Sequence, residues 1–120
     1  NEGVGIMNLL EIKQYLENNN ITLPIAIGSL KDENSIGLFA TAGQEPSFFF
    51  SKGYIEYKGL QVLVRHQSYA EGESIINEIY RLLNNSEGFK RSQSPFSLGR
   101  NDKGFMEFSV NYIVMKTEVL

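Results

Sequence analysis

Between Gly59 and Asn84 the chain changes its hydrophobic period once, and this switch restricts the fold more than any other feature. In the stretch GLQVLVRH, Leu60, Val62 and Val64 occupy alternate positions. That is strand spacing, because successive strand side chains point to opposite faces. Beyond Ala70, the residues Ile75, Ile76, Ile79, Leu82 and Leu83 recur at three and four, the stripe of an amphipathic helix. Ser68 stands at the switch and reads, with Glu71, as a capping box. In that motif the hydroxyl accepts an N–H of the first turn and the carboxylate reaches back to the cap N–H. Gly72 lies on the buried stripe, about one turn before Ile75 and Ile76. A glycine inside a helix costs about 1 kcal/mol relative to alanine, so Gly72 predicts a close approach of the helix to the sheet.

The rest of the chain packs around this strand–helix unit. Ile6, Leu9, Ile12 and Leu16 predict a helix from about Val4 to Asn18, ended by Asn18, Asn19 and Asn20. Leu23, Ile25 and Ile27 alternate within 21–30, where Pro24 restricts the segment to an edge strand or an extended lead-in. Ile36, Leu38 and Ala40 form a second alternating run over 35–41, and the polar turn Lys31–Asn34 between the two predicts a hairpin. Residues 42–58 are the least regular stretch and read as a long loop or a loosely paired strand. Residues 89–98 are polar and contain Pro95, an edge strand at best. Gly99–Gly104 has the composition of a turn. The last strand, 105–116, carries Met106, Phe108, Val110, Tyr112 and Val114 on one face. Its other face, with Glu107, Ser109 and Asn111, suits water or another subunit. The expectation is one α+β domain over residues 1–120: a mostly antiparallel sheet of about four or five strands with two helices on one face. Residues 1–6 read as disordered or foreign to the natural chain, with Met7 near its start, or as a processed terminus.

Composition narrows the function classes. The net charge is −3 over 120 residues and no basic patch stands out, which argues against a dedicated nucleic-acid binder. The chain has no cysteine, which removes disulfide frameworks and thiolate metal sites. No apolar run approaches the roughly 18 residues needed to span a bilayer. There is no secretion-signal pattern, so the expected compartment is the bacterial cytosol or an assembly built there. His66, the one histidine, falls on the Val62–Val64 face and reads as a polar residue at the sheet rim. No nucleophile or orienting carboxylate accompanies it in a local motif. Neither G-x-x-x-x-G-K, G-x-G-x-x-G nor G-x-S-x-G occurs. The expectation is therefore no catalytic residue, no metal and no cofactor.

Aromatic residues concentrate instead in the irregular stretch: Phe48, Phe49, Phe50, Tyr54 and Tyr57. Three consecutive phenylalanines in extended chain cannot all face one core. Either the odd ring folds back under the loop, or it joins an exposed aromatic patch of the kind that marks a partner surface. Arg65, opposite the valines, and Arg100 in the turn are the basic residues placed to join such a surface. A salt bridge from Arg65 to a neighbouring strand or subunit, or simple solvation, are the readings open to it.

Three blocks, in one order, carry a family resemblance. They are Ser35–Pro46 (SIGLFATAGQEP), Gly59–Arg65 followed by Tyr69-Ala70-Glu71 and Glu78-Ile79-Tyr80, and Ser94–Gly104 (SPFSLGRNDKG) running into Glu107–Tyr112 (EFSVNY). Together they resemble the phage minor capsid proteins that act as tail terminators in long-tailed, non-contractile (siphovirus-type) phages and prophages. The Phe-rich loop after Pro46 and Gly72 depart from the family pattern. The resemblance implies a structural, non-enzymatic protein made in the host cytoplasm and carried in the virion, at the head-proximal end of the tail. It implies a hexameric ring that stops tube polymerisation, with tail tube protein and head-completion proteins as partners. DNA is then passing cargo, and no membrane is involved. The alternatives are a small cytosolic ligand-binding domain or enzyme, with a pocket around Arg65, His66 and Glu107, or another head–tail connector or completion protein.

Overall fold

The computed structural model describes residues 8–41, 47–48, 53–84, 89–91 and 94–119. Helix α1 (Leu9–Asn18) is followed by β1 (Ile25–Ile27), β2 (Ser35–Thr41), β3 (Ser47–Phe48) and β4 (Gly53–His66). Helix α2 (Tyr69–Asn84), β5 (Phe89–Arg91), β6 (Phe96–Arg100) and β7 (Met106–Val119) complete the chain. The strands form one mixed sheet in the order β1-β2-β4-β7-β5. β3 extends the β2 side of β4, and β6 shares with β5 the outer side of β7. The α+β class and the helices packed on the sheet match the sequence reading.

Helix α1 starts later than its hydrophobic stripe suggested. Asn8 has extended backbone and forms a complete capping box: its Oδ1 accepts from Glu11 N at 2.8 Å, and Glu11 Oε1 accepts from Asn8 N at 3.0 Å. With these donors satisfied the first turn begins at Leu9, not near Val4; Ile6 lies outside the described residues. The asparagine run ends the helix as expected, with Asn19 as the cap and Asn20 at φ +71°.

β1 and β2 are not a hairpin. They run parallel, in the register Ile25–Ile36, Ala26–Gly37 and Ile27–Leu38. A parallel return is feasible here because β1 has only three residues. The connection 28–34 therefore has to recover only about 10 Å at roughly 3.3 Å per strand residue. The connection crosses the sheet edge close to Gly37. A Cβ built there would lie 2.6 Å from the Ser29 carbonyl oxygen and 2.8 Å from the Phe39 ring, so only glycine fits.

In the irregular stretch, residues 47–48 and 53–58 are strand, the second of the two readings its composition left open. β4 begins at Gly53 and pairs with β7 over fourteen consecutive residues, Gly53–Val119 through His66–Met106. The ladder to β7 extends the strand where local pattern is weak. β3 joins through Ser47–Ile55 and Phe48–Tyr54. The β4–β7 ladder is about 46 Å long at ~3.3 Å per residue, whereas α2 covers about 24 Å at 1.5 Å per residue. Because α2 starts beside His66, residues 53–58 and 114–119 form a ribbon that runs past the helical layer. The 52 Å long dimension of the molecule reflects it.

One face of the sheet makes the core. Ile36, Leu38, Leu60, Val62, Val64, Met106, Phe108, Val110, Tyr112 and Val114 meet Ile12 and Leu16 of α1 and Ile76, Ile79, Leu82 and Leu83 of α2. Gly72 allows the contact: a Cβ there would lie 2.5 Å from Phe108 Cε1 and 3.1 Å from His66 Cβ. The other face carries Ser35, Gly37, Phe39, Gln61, Leu63, Arg65, Glu107, Ser109, Asn111 and Ile113, by alternation and register. Neither described helix packs on it.

The α2 cap differs from the sequence expectation in one bond. Ser68 Oγ accepts from Glu71 N at 3.2 Å, but the Ser68 N–H donates to His66 Nδ1 at 2.9 Å. The Glu71 carboxylate lies instead 3.4 Å from His66 Nε2. An accepting Nδ1 assigns the proton to Nε2, which faces that carboxylate. His66 is thus buried, at 7% exposure, and relays the capping box rather than sitting polar at the rim. Ser68→Ala is expected to lower stability by about 1 kcal/mol. A thermal melt should register it as a drop of about 4 °C, and an unchanged melting temperature would remove the cap from the account.

Candidate assembly interface

The charged residues of the open face, Arg65 and Glu107, meet at the corner where β4 turns into α2. Arg65 and Glu107 are register partners on β4 and β7. Arg65 Nε and Nη2 donate to Glu107 Oε2 at 2.9 and 2.7 Å. Its Nη1 donates to the Lys31 carbonyl at 2.8 Å and to Asp32 Oδ1 at 3.0 Å. Asp32 in turn meets Lys103 Nζ at 2.6 Å, so the 28–34 connection and the β6–β7 turn clasp over the Arg65–Glu107 pair. Asn101 sets the turn: its Oδ1 accepts from Lys103 N and Phe105 N at 2.9 and 3.0 Å, and its Nδ2 donates to Glu107 Oε2 at 3.3 Å. Arg100 reaches back to the carbonyls of Gly104 and Gln67.

Arg65 and Arg100 are thereby brought to one corner, and both are engaged within their own chain. Arg65, with 15% of its side chain exposed, is a fastener between strands and loop. Lys103, Asp32 and Asn101 do not stand out in the sequence. Their only signal there is turn composition, and the pairing is made by two loops about seventy residues apart.

The clasp shifts the titration of its two charged ends in opposite directions. The hydrogen bond and charge of Lys103, with help from Arg65, hold the Asp32 carboxyl below the ordinary carboxylate range, and Lys103 is correspondingly raised. A depressed carboxyl pKa contributes stability above its unfolded value and loses it as pH falls through the folded one. Both groups are well exposed, so the effect is local. In Lys103→Met, Asp32 is expected to titrate closer to the ordinary range, as read by carboxyl NMR; an unmoved titration would show that Lys103 does not hold it.

Three of the five aromatic residues, Phe48, Tyr54 and Tyr57, are in the strands of the ribbon. Phe48 is in β3 opposite Tyr54, and Tyr54 and Tyr57 are in the first part of β4. Phe49 and Phe50 fall outside the described residues, as does the question of which ring faces solvent. Among the described residues no three His, Asp or Glu side chains are grouped to hold a metal. The hollow between residues 20–23 and α2, lined by Leu23, Ser74, Ile75 and Glu78, measures about 180 Å³. A wide, open hollow beside the corner, lined by Asp32, Glu33, Asn34, Gln67 and Phe105, measures about 310 Å³, the low end of the ~300–1,000 Å³ common for ligand sites. Arg65, His66 and Glu107 do not converge on a pocket: Arg65 and Glu107 are on the open face, and His66 is on the core face beside α2.

A chain whose polar corner is internally tied, with a sheet face that neither described helix covers and a long ribbon, is organised around surfaces. The family comparison agrees: residues 15–118 match the model for the bacteriophage tail terminator protein. The chain belongs to the bacteriophage tail terminator family. The match spans all three sequence blocks that carry the resemblance. No curated protein matches the chain. As a tail terminator the protein has a structural role in virion assembly, in the phage tail. No described helix is long and apolar enough to cross a membrane.

Proposed function

We propose that this tail terminator acts as a ring, six copies in the assembled tail, that caps the head-proximal end of the tail tube and stops its polymerisation. The ring presents its opposite surface to the head-completion proteins, and DNA passes through it. The family match over residues 15–118 is the observation that carries this reading. The fold is compatible in two respects. A closed ring needs two unlike lateral patches on each copy, and the sheet has two chemically different edges, β1 on one side and β5 with β6 on the other. A tube-facing element must also project, and the 53–58 and 114–119 ribbon with its aromatic stretch does so. Phe48, Phe49, Phe50, Tyr54 and Tyr57 are assigned to that contact. Arg65 and Arg100 lie at the other end of the β4–β7 ladder, where they brace the corner within the subunit. Copies are made in the host cytoplasm and recruited to the growing tail.

Purified protein should shift from its free mass to a ring-sized complex on tail tube protein, by light scattering or native mass spectrometry. Electron micrographs should show tubes capped at one end and arrested in length. Tubes that keep growing, with the protein still monomeric, would refute the reading.

A further inference from the structure

The two free edges of the sheet are unlike. β4 occupies one side of β7 along its whole length, so β5 and β6 share the other, and no described strand lies beyond them. β1 closes the opposite edge. Among the described residues the exposed large hydrophobics are Leu10, Ile27, Tyr69 and Leu98. Three of these four mark the edges. Ile27 is on β1 and Leu98 is on β6, with 42% and 53% of their surfaces exposed. Tyr69 borders β6, where with Pro95, Phe96 and Ser97 it lines a small hollow of about 60 Å³.

Leu98 is exposed by construction. The β6–β7 register slips there: Ser97 opposes Phe108 and Gly99 opposes Glu107, leaving Leu98 without a partner on β7. Gly99 takes φ +91°, which only glycine adopts freely, and its N–H is held by Ser97 Oγ at 3.1 Å. A bulge at an edge re-aims a side chain and blocks indiscriminate strand pairing. A polar residue would serve that purpose alone; a leucine there adds an apolar knob. The charges of the two edges are also complementary in sequence, even with Arg100 and Asp32, which are tied within the chain, set aside. Residues 89–99 contain Lys90 and Arg91 and no carboxylate, whereas residues 17–34 keep Glu17 and Glu33 against Lys31.

We infer that the β6 edge of one copy docks on the β1 edge of the next, with Leu98 packed against Ile27 by side-chain contact rather than strand addition. The contact is head-to-tail, so an open chain of copies keeps one free β6 edge at one end and one free β1 edge at the other until a ring closes. It rests on the ring reading and names its lateral interface.

The absence of cysteine gives a clean test. Full-length Ile27→Cys, Leu98→Cys and the double variant are assembled on tail tube protein and treated with a short bis-maleimide. Both sites are exposed, and circular dichroism is the control for the folding of each variant. The double variant should give a ladder of linked species on a denaturing gel, and a mixture of the single variants should give dimers. Each single variant alone should stay unlinked. Leu98→Asp should weaken ring formation ten-fold or more. Capped tubes without Ile27–Leu98 links, or Leu98→Cys linking to itself, would overturn the lateral contact and leave the ring reading intact. Wild-type protein that neither rings nor caps tubes would overturn both.

Discussion

Gly72→Leu is expected to destabilise the protein by about 3 kcal/mol or more, although leucine is the better helix former by most of 1 kcal/mol. Even the Cβ of alanine would sit 2.5 Å from Phe108 Cε1 and 3.1 Å from His66 Cβ. The Phe108 ring has little room to yield. It is 2% exposed, belongs to a central strand, and meets the Tyr69 ring edge-on at 5.3 Å. His66 Cβ is fixed by the strand and by the imidazole's bond to Ser68 N. Gly72→Ala should therefore lose about 1–2 kcal/mol net, the overpacking exceeding the helix gain. Urea denaturation of the three proteins orders them Gly, Ala, Leu. If alanine proved more stable than glycine, the close approach of α2 would not be what keeps Gly72 in the chain.

That contact is legible in the sequence because glycine in a helical stripe conflicts with local propensity, and such conflicts need a tertiary cause. The period switch at Ser68 is legible for a similar reason: strand alternation and helix stripe each repeat several times, so Leu60, Val62, Val64, Ile76 and Ile79 all fall in the core. Where the repeat is short, pattern misleads. Ile25 and Ile27 alternate equally well in a hairpin or a parallel pair, and only the three-residue length of β1 makes the parallel return feasible. Gly53–Lys58 is strand through pairing with β7, a partner about sixty residues away. At α1 the stripe alone overruns the start, because the cap at Asn8, not the apolar spacing, sets where the helix begins.

The candidate surfaces divide in the same way. Composition draws attention to Arg65 and to the aromatic stretch. It does not show that all three guanidinium nitrogens of Arg65 are bonded within the chain. Nor can it show His66 as a relay in a cap, since Ser68 and Glu71 already satisfy the motif by spacing. Leu98 is hidden for another reason. A bulge changes which residue faces outward without changing the alternation that surrounds it.

Removing Arg65 should cost nearly as much as crowding Gly72, and the loss should depend on Glu107. In Arg65→Leu the Glu107 carboxylate, 22% exposed, keeps Asn101 Nδ2 as its donor among the described residues. Breaking one partner out of a fully buried pair costs about 3–5 kcal/mol. The partial exposure here reduces that to about 2–3 kcal/mol. Glu107→Leu should lose less, about 1–2 kcal/mol, because Arg65 retains Asp32 and the Lys31 carbonyl. The double variant should be less destabilised than the sum of the single variants by about 1–2 kcal/mol, the coupling of two groups in direct contact. The asymmetry is the distinguishing result. A simple surface ion pair would give small, similar losses that vanish in high salt, whereas the corner pair should keep most of its coupling at about 1 M salt. Additive single variants would show instead that the Arg65–Glu107 bond contributes nothing of its own. In that case the clasp of Asp32 and Lys103 above it would be what ties the 28–34 connection to the β6–β7 turn.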